Sequence, residues 1–153
     1  PYTILGSEIQ HIIFDVRKEK NPCSMCAKMR RGALHSALLE RGIHKIALGH
    51  HYDDAVETFF MSLIFEGRLS CFQPVTYLDR TGVTSIRPMV YLPEAHAIHV
   101  AKDLQLPVIK NPCPAAGNTK REDMKELLRT FCTIAPEARY KMLRALKTGG
   151  VLR

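Results

Sequence analysis

Two cysteines three positions apart, Cys23 and Cys26 in the run N-P-C-S-M-C, and a third, Cys113 in K-N-P-C-P, are the residues best suited to chemistry in this chain. A C-x-x-C on a helix turns both sulfurs toward one ion. The positive start of such a helix and the cations Lys28, Arg30 and Arg31 favour the thiolate forms. Three chemistries meet the pattern. A redox dithiol needs nothing further. An iron-sulfur cluster would take Cys113 as third ligand from a loop that Pro112 and Pro114 hold extended, leaving one metal position open. A zinc staple would be completed by a histidine such as His50 or His51. Cys71 and Cys132 read as spectators.

The second chemical run is I-A-L-G-H-H-Y-D-D at residues 46–54. It puts imidazoles and carboxylates at the carboxyl end of a short apolar segment, where strands of open α/β sheets bind ligands. Gly49 and His50 open the turn. Asp53 and Asp54 suit magnesium held against nucleotide phosphates, and Glu57 follows one helical turn on. The plain alternative is that acids in a first turn complement the helix dipole, an effect of about 0.3–1 kcal/mol each. Arg87, Lys120 and Arg121 supply further cations for phosphates, whereas Phe59, Phe60 and Met61 at helical spacing belong to the core.

The elements that must position these groups follow from periodicity and punctuation. Residues 2–5 suggest a short strand. Ser7 then caps a helix with Ile9, Ile12, Ile13 and Val16 on one face. Asn21-Pro22 breaks the pattern, and a helix over 24–41 follows with Leu34, Ala37 and Leu38 inward and Gly42 as its stop, so the C-x-x-C sits at a helix start. Residues 45–49 read as a buried parallel strand, followed by a helix marked by Val56, Phe59, Phe60 and Leu63. A hairpin turns at 79–82, a helix runs from Pro93 to about Gln105, and Val108-Ile109 form a strand leading into Cys113. Two helices over 120–132 and 136–147 complete an α/β layered domain with a parallel sheet.

With 153 residues and 46% hydrophobic content, the chain suits one domain with a real core. The apolar stretches are too short to span a bilayer and the first residues lack a secretory signal, so a cytoplasmic, membrane-free protein is expected. Five cysteines without dense pairing fit a reducing compartment. The formal charge is +7, and residues 17–31 carry six basic side chains against one acid. That is a polyanion-binding profile, with RNA as the partner and a solvated basic face as the alternative.

In order, C-S-M-C-A-K-M-R-R-G, K-I-A-L-G-H-H-Y-D-D, I-R-P-M and a third cysteine in a Pro-rich loop resemble the tRNA 2-thiocytidine synthetase family of PP-loop ATPases. The resemblance covers nearly the whole chain. It implies an adenine-nucleotide alpha-hydrolase-like, Rossmann-like α/β fold and an ATP-dependent insertion of sulfur into a cytidine of the tRNA anticodon loop. By resemblance, Cys23, Cys26 and Cys113 bind a 4Fe-4S cluster with one iron lacking a protein ligand. Asp54 serves magnesium or the adenylation step with Asp53, His50 and Gly49 beside it. Arg30 and Arg31 counter developing negative charge, and with Lys28 they contact RNA. The implied partners are tRNA, a sulfur donor such as a cysteine desulfurase, and a second copy of the chain. The family's S-G-G-x-D-S loop has no counterpart here. Residues 1–153 therefore read as one partial PP-loop domain, the C-terminal portion of a longer protein with its sheet incomplete at the N-terminus. Two rival readings are a sister thiolase acting on another base, of the 2-thiouridine type, and a non-catalytic RNA-binding module with structural zinc.

Overall fold

The computed structural model describes residues 2–109, 111–117 and 119–153. Two compact units emerge, one of residues 1–45 and 77–84, the other of residues 46–76 and 85–153.

In the first unit, helix α1 (Ile9–His11) runs on as a π turn over Ile12–Val16. The bond from the Arg17 N–H to the Ile12 carbonyl, 2.9 Å, spans five residues and widens the turn. The expected apolar stripe is broken for that reason: Ile13 is fully buried, but Val16 is rotated outward and is 64% exposed. Residues 2–5 form no strand, and Glu8 rather than Ser7 occupies the cap position, without a side-chain bond. Helix α2 spans Pro22–Leu39, two residues ahead of expectation at each end. Proline is preorganised for a first helical turn and has no N–H to leave unpaired there. Gly42, at φ 65°, closes the helix while the Ile43 N–H reaches back to the Leu38 carbonyl at 2.9 Å. None of α2 is buried, and Leu34, Ala37 and Leu38 are exposed or half-buried rather than a core stripe.

Three strands, β1 (Lys45–Ala47), β2 (Val75–Leu78) and β3 (Val83–Ile86), form a sheet in the order β1-β3-β2. The bonds Thr84 N–H to His44 O (2.8 Å) and Leu48 N–H to Ile86 O (2.9 Å) advance together along both strands, so β1 and β3 are parallel. A hairpin joins β2 to β3, closed by Gly82 at φ 65°, which makes the sheet mixed. At an edge of this sheet, β1 leaves Lys45 and Ala47 exposed and Ile46 half-buried, not the buried strand its composition suggests.

The second unit holds helices α3 (Tyr52–Glu66), α4 (Glu94–Asp103), α5 (Lys120–Ile134) and α6 (Ala138–Thr148). Its core joins Ala55 and Val56 of α3, Leu128 of α5, and Leu143 and Leu146 of α6 with Val90 and Leu152. Phe59 and Phe60 pack against that core, as their spacing predicts, and Phe131 joins them; Met61, expected alongside, is half-buried. The Thr119 hydroxyl caps α5 by accepting the Glu122 N–H at 3.4 Å. Helix α4 follows Pro93 as expected but buries none of its residues. No strand forms at Val108-Ile109, which are 81% and 88% exposed. Their β-branched side chains favour extended backbone, but no described strand pairs with it. Lys110, in the K-N-P-C-P run, lies outside the described residues.

Candidate functional site

Strand β1, a four-residue turn and helix α3 place the acidic run as the sequence predicts, and His51 stands at the helix cap. The reciprocal bonds of a capping box hold this end, with the His51 N–H donating to Asp54 Oδ2 at 2.9 Å.

Each carboxylate oxygen of the two aspartates has a protein donor. Asp53, 6% exposed, takes Arg139 Nη1 at 2.5 Å on Oδ1 and the Glu94 N–H at 2.8 Å on Oδ2. Asp54 takes Arg121 Nη1 at 2.8 Å on Oδ1 and the His51 N–H on Oδ2. The same Arg121 nitrogen lies 3.0 Å from Glu57 Oε2, and its neighbour Nη2 lies 3.4 Å from Thr58 Oγ1. Glu57 is 1% exposed. Burial pushes its carboxyl above the usual range, against the pull of Arg121. Its Oε1 has no hydrogen-bond partner.

The acids of the turn are thus engaged by cations from α5 and α6 and by backbone N–H groups. Each aspartate oxygen keeps a lone pair beyond the one its donor uses. Arg121 is one of these clamps rather than a free phosphate contact. Arg139 was not among the residues singled out from the sequence, and Glu57 appeared there only as a neighbour of the turn. Three acids within five positions are the signal that cations must lie opposite them; nothing local says which ones.

His50 is half-buried and stacks on Phe72 at 4.9 Å between ring centroids. Burial lowers its pKa below the ordinary 6.5, while the Asp54 charge opposes the shift. The unfolded chain therefore binds this proton more readily than the folded one, and stability should fall as pH drops through 6.5. Denaturation midpoints at about pH 7.5 and about pH 5.5 check this, with His50→Gln losing less on acidification than the parent. Gly49 beside it is exposed. Arg87 donates to the Gln73 carbonyl at 2.6 Å and to Thr76 Oγ1 at 3.3 Å, and lies over the Phe72 ring.

All five cysteines are free thiols. Cys23, exposed, and Cys26, half-buried, occupy the first turns of α2 in the first unit. Cys113, half-buried in a loop of the second unit, donates its N–H to Asn111 Oδ1 at 3.1 Å. Among the described residues no three Cys, His, Asp or Glu side chains are gathered as a metal site. Two thiols at i and i+3 and a third in a Pro-flanked loop nevertheless have the donor chemistry of an iron-sulfur ligand set. Cys71 fits the spectator role: its thiol donates to the Ala55 carbonyl at 3.3 Å and is pushed up to about 11 by burial. Lys28, Arg30 and Arg31 are exposed on α2, and Arg31 Nε donates to the Ala27 carbonyl at 3.1 Å. No helix among the described residues is long and apolar enough to cross a membrane.

A family model described as a PP-loop domain matches residues 3–130. A tRNA-cytidine(32) 2-sulfurtransferase of Geobacter metallireducens is 38% identical over 140 residues, covering 87% of this chain and 54% of its own length. One of the same name from Alkalilimnicola ehrlichii is 37% identical over 151 residues, covering 96% and 48%. Another, from Coxiella burnetii, is 36% identical over 152 residues, covering 95% and 58%. The chain therefore spans about half the length of the curated relatives it matches. Among solved structures, the U34-tRNA thiolase NcsA from Methanococcus maripaludis with its 4Fe-4S cluster aligns with a TM-score of 0.68 at 25% identity, over 88% of this chain and 45% of that one.

Proposed function

The chain belongs to the PP-loop domain family, and from that membership we propose that it works within an ATP-dependent tRNA sulfurtransferase that converts an anticodon-loop cytidine to 2-thiocytidine. The observation that carries this reading is the joint presence of a C-x-x-C at the start of α2 and a G-H-H-x-D-D turn at the start of α3, in a chain about 37% identical to proteins named for that reaction.

The cytidine C2 oxygen is a poor leaving group. Its attack on the α-phosphate of ATP releases pyrophosphate and leaves the base adenylated. A sulfur nucleophile then adds at C2, and AMP departs with the oxygen. Cys23, Cys26 and Cys113 are the thiols that would hold a 4Fe-4S cluster, which supplies a carrier for the incoming sulfur when bound. A cysteine desulfurase is the class of donor that delivers that sulfur.

ATP belongs at the turn of Gly49, His50, Asp53 and Asp54. Asp54, with Asp53 beside it, is the carboxylate that would meet the magnesium accompanying the ATP phosphates. Asp54, fixed by Arg121 and the His51 N–H, holds negative charge at a set position beside the adenylation step. Arg30 and Arg31 counter charge developing on the phosphate and the base oxygen.

The test is an anaerobic incubation of tRNA with ATP, a sulfur source and the protein, joined with the remaining length of its relatives. Nucleoside mass spectrometry should find 2-thiocytidine. Asp54→Asn should retain the iron and sulfide but lower the thiolation rate by at least about tenfold, a loss of roughly 1.4 kcal/mol in transition-state stabilisation. Normal thiolation by that variant removes Asp54 from the chemistry. The named U34 specificity of the structural neighbour favours a second reading, 2-thiouridine formation, and the same spectra separate the two. Zinc in place of iron and sulfide would instead favour a non-catalytic RNA-binding module.

RNA contact through α2 makes a further prediction. Neutralising Lys28, Arg30 and Arg31 together should weaken tRNA binding and lower the slope of log K against log salt by about 2–3, since each phosphate contact contributes about 0.7–0.9. An unchanged slope measured by filter binding across a salt series would leave the segment a solvated face.

A further inference from the structure

Gln73 lies on the segment that joins α3 to β2, and its side-chain amide is used at both ends. Nε2 donates to the Val151 carbonyl and Oε1 accepts the Arg153 N–H, each at 2.8 Å, across 78 and 80 residues of sequence. An amide carries a donor and an acceptor on one flat group, so it can close two backbone bonds of opposite sense, as no carboxylate or hydrocarbon can. The backbone carbonyl of Gln73 accepts Arg87 Nη1 at 2.6 Å. Leu152, between the two bonded residues, is 2% exposed and belongs to the core, so the anchor for Gln73 is itself fixed.

The residue before Gln73 is Phe72, and its ring meets two groups. The His50 imidazole lies 4.9 Å away between centroids, tilted by 38°, and the Arg87 guanidinium carbon lies 4.9 Å from the centroid. All of these residues belong to the second unit. His50 Nδ1 is buried without a hydrogen-bond partner, which leaves ring packing to orient the imidazole.

We infer that Gln73 is a positioning residue for the nucleotide turn: by tying the 71–74 segment to the backbone of Val151 and Arg153, it holds Phe72 against His50. The backbone that follows α6 thereby bears on a turn about a hundred residues earlier in the chain. The inference rests on the reading that ATP meets the turn of Gly49, His50, Asp53 and Asp54.

Histidine ring spectra of the full chain test the packing. Among seven histidines, the His50 Hε1 signal is assigned by its absence from His50→Gln, and Phe72→Leu gives the position it takes without the ring current of Phe72. Gln73→Leu keeps side-chain bulk but closes neither bond, and it should move the signal toward that position. In the protein joined with the remaining length of its relatives, Gln73→Leu should raise the KM for ATP about two- to tenfold, the worth of one aromatic contact. The kcat should hold, as for a group that binds without entering the chemistry. In a Phe72→Leu background the same change should add nothing, since Gln73 acts through that ring.

Should Gln73→Leu fail to fold, Gln73→Glu takes its place. It retains the acceptor for Arg153 but sets an oxygen against the Val151 carbonyl, and it should move both readouts in the same direction. A His50 signal or a KM that stays at the parental value overturns the proposal, even where the urea midpoint falls, because the bonds would then be merely structural. A full additive rise in KM on top of Phe72→Leu overturns it as well. If the joined parent makes no 2-thiocytidine, the activity reading falls, and the His50 signal alone decides whether Gln73 positions the turn.

Discussion

Cys113→Ser is expected to abolish cluster loading, with iron and acid-labile sulfide falling to background after anaerobic reconstitution, and sulfur transfer lost with them. A serine hydroxyl stays protonated where a thiolate is needed and is a poor ligand for iron. The fold should be spared, because Cys113 lies in a loop and the structural bonds it makes come from its backbone. Unchanged far-UV circular dichroism tests that point. Cys71→Ser is the control: this thiol is engaged by the Ala55 carbonyl inside the core, so its loss should leave iron content intact. Full loading of the Cys113 variant would show that the third ligand is another group.

The second large effect is on stability. Asp53→Ala should cost about 3–5 kcal/mol, the range for removing one partner of a buried ion pair, because Arg139 loses its counter-charge and the Glu94 N–H its acceptor. For a chain of this size that corresponds to a fall of about 6–20 °C in Tm. Replacing both partners, as Asp53→Ala with Arg139→Met, should recover part of the loss, since no uncompensated charge then remains buried. A double-mutant cycle read by urea denaturation checks both statements. Additive losses would mean that the two side chains act independently.

Much of the site's placement was legible in the sequence. Asn21-Pro22 announced the start of α2 and so set Cys23 and Cys26 in its first turns, and the short apolar run before Gly49 announced the strand-turn-helix unit that carries Asp53 and Asp54. The partners of those acids were not legible. Arg121 and Arg139 lie 67 and 86 residues from the aspartates they bind, and neither periodicity nor turn chemistry encodes a pairing at that range. Arg121 read as a loose phosphate contact because an isolated cation carries no sign of its counter-ion. The π turn at Ile12–Val16 was hidden because its apolar residues satisfy ordinary helical spacing, and only the backbone bond to Arg17 reveals the extra residue. Val108-Ile109 misled in the opposite way: side chains suited to a strand do not make one where no neighbour supplies the ladder.

The acidic first turn of α3 reaches each of the other helices of its unit: Arg121 on α5, Arg139 on α6, and the first backbone N–H of α4. Its consequence is practical. The match to the PP-loop domain model stops at residue 130, so a chain trimmed to that boundary keeps every residue of the H-H-Y-D-D signature yet discards the guanidinium that neutralises Asp53. Such a chain would hold a carboxylate with its counter-charge cut away, and a failure to fold would be mistaken for a failure of chemistry. For this protein the PP-loop domain match is narrower than what stabilises its acidic turn, and the α6 segment must travel with the turn in any transplanted or shortened version.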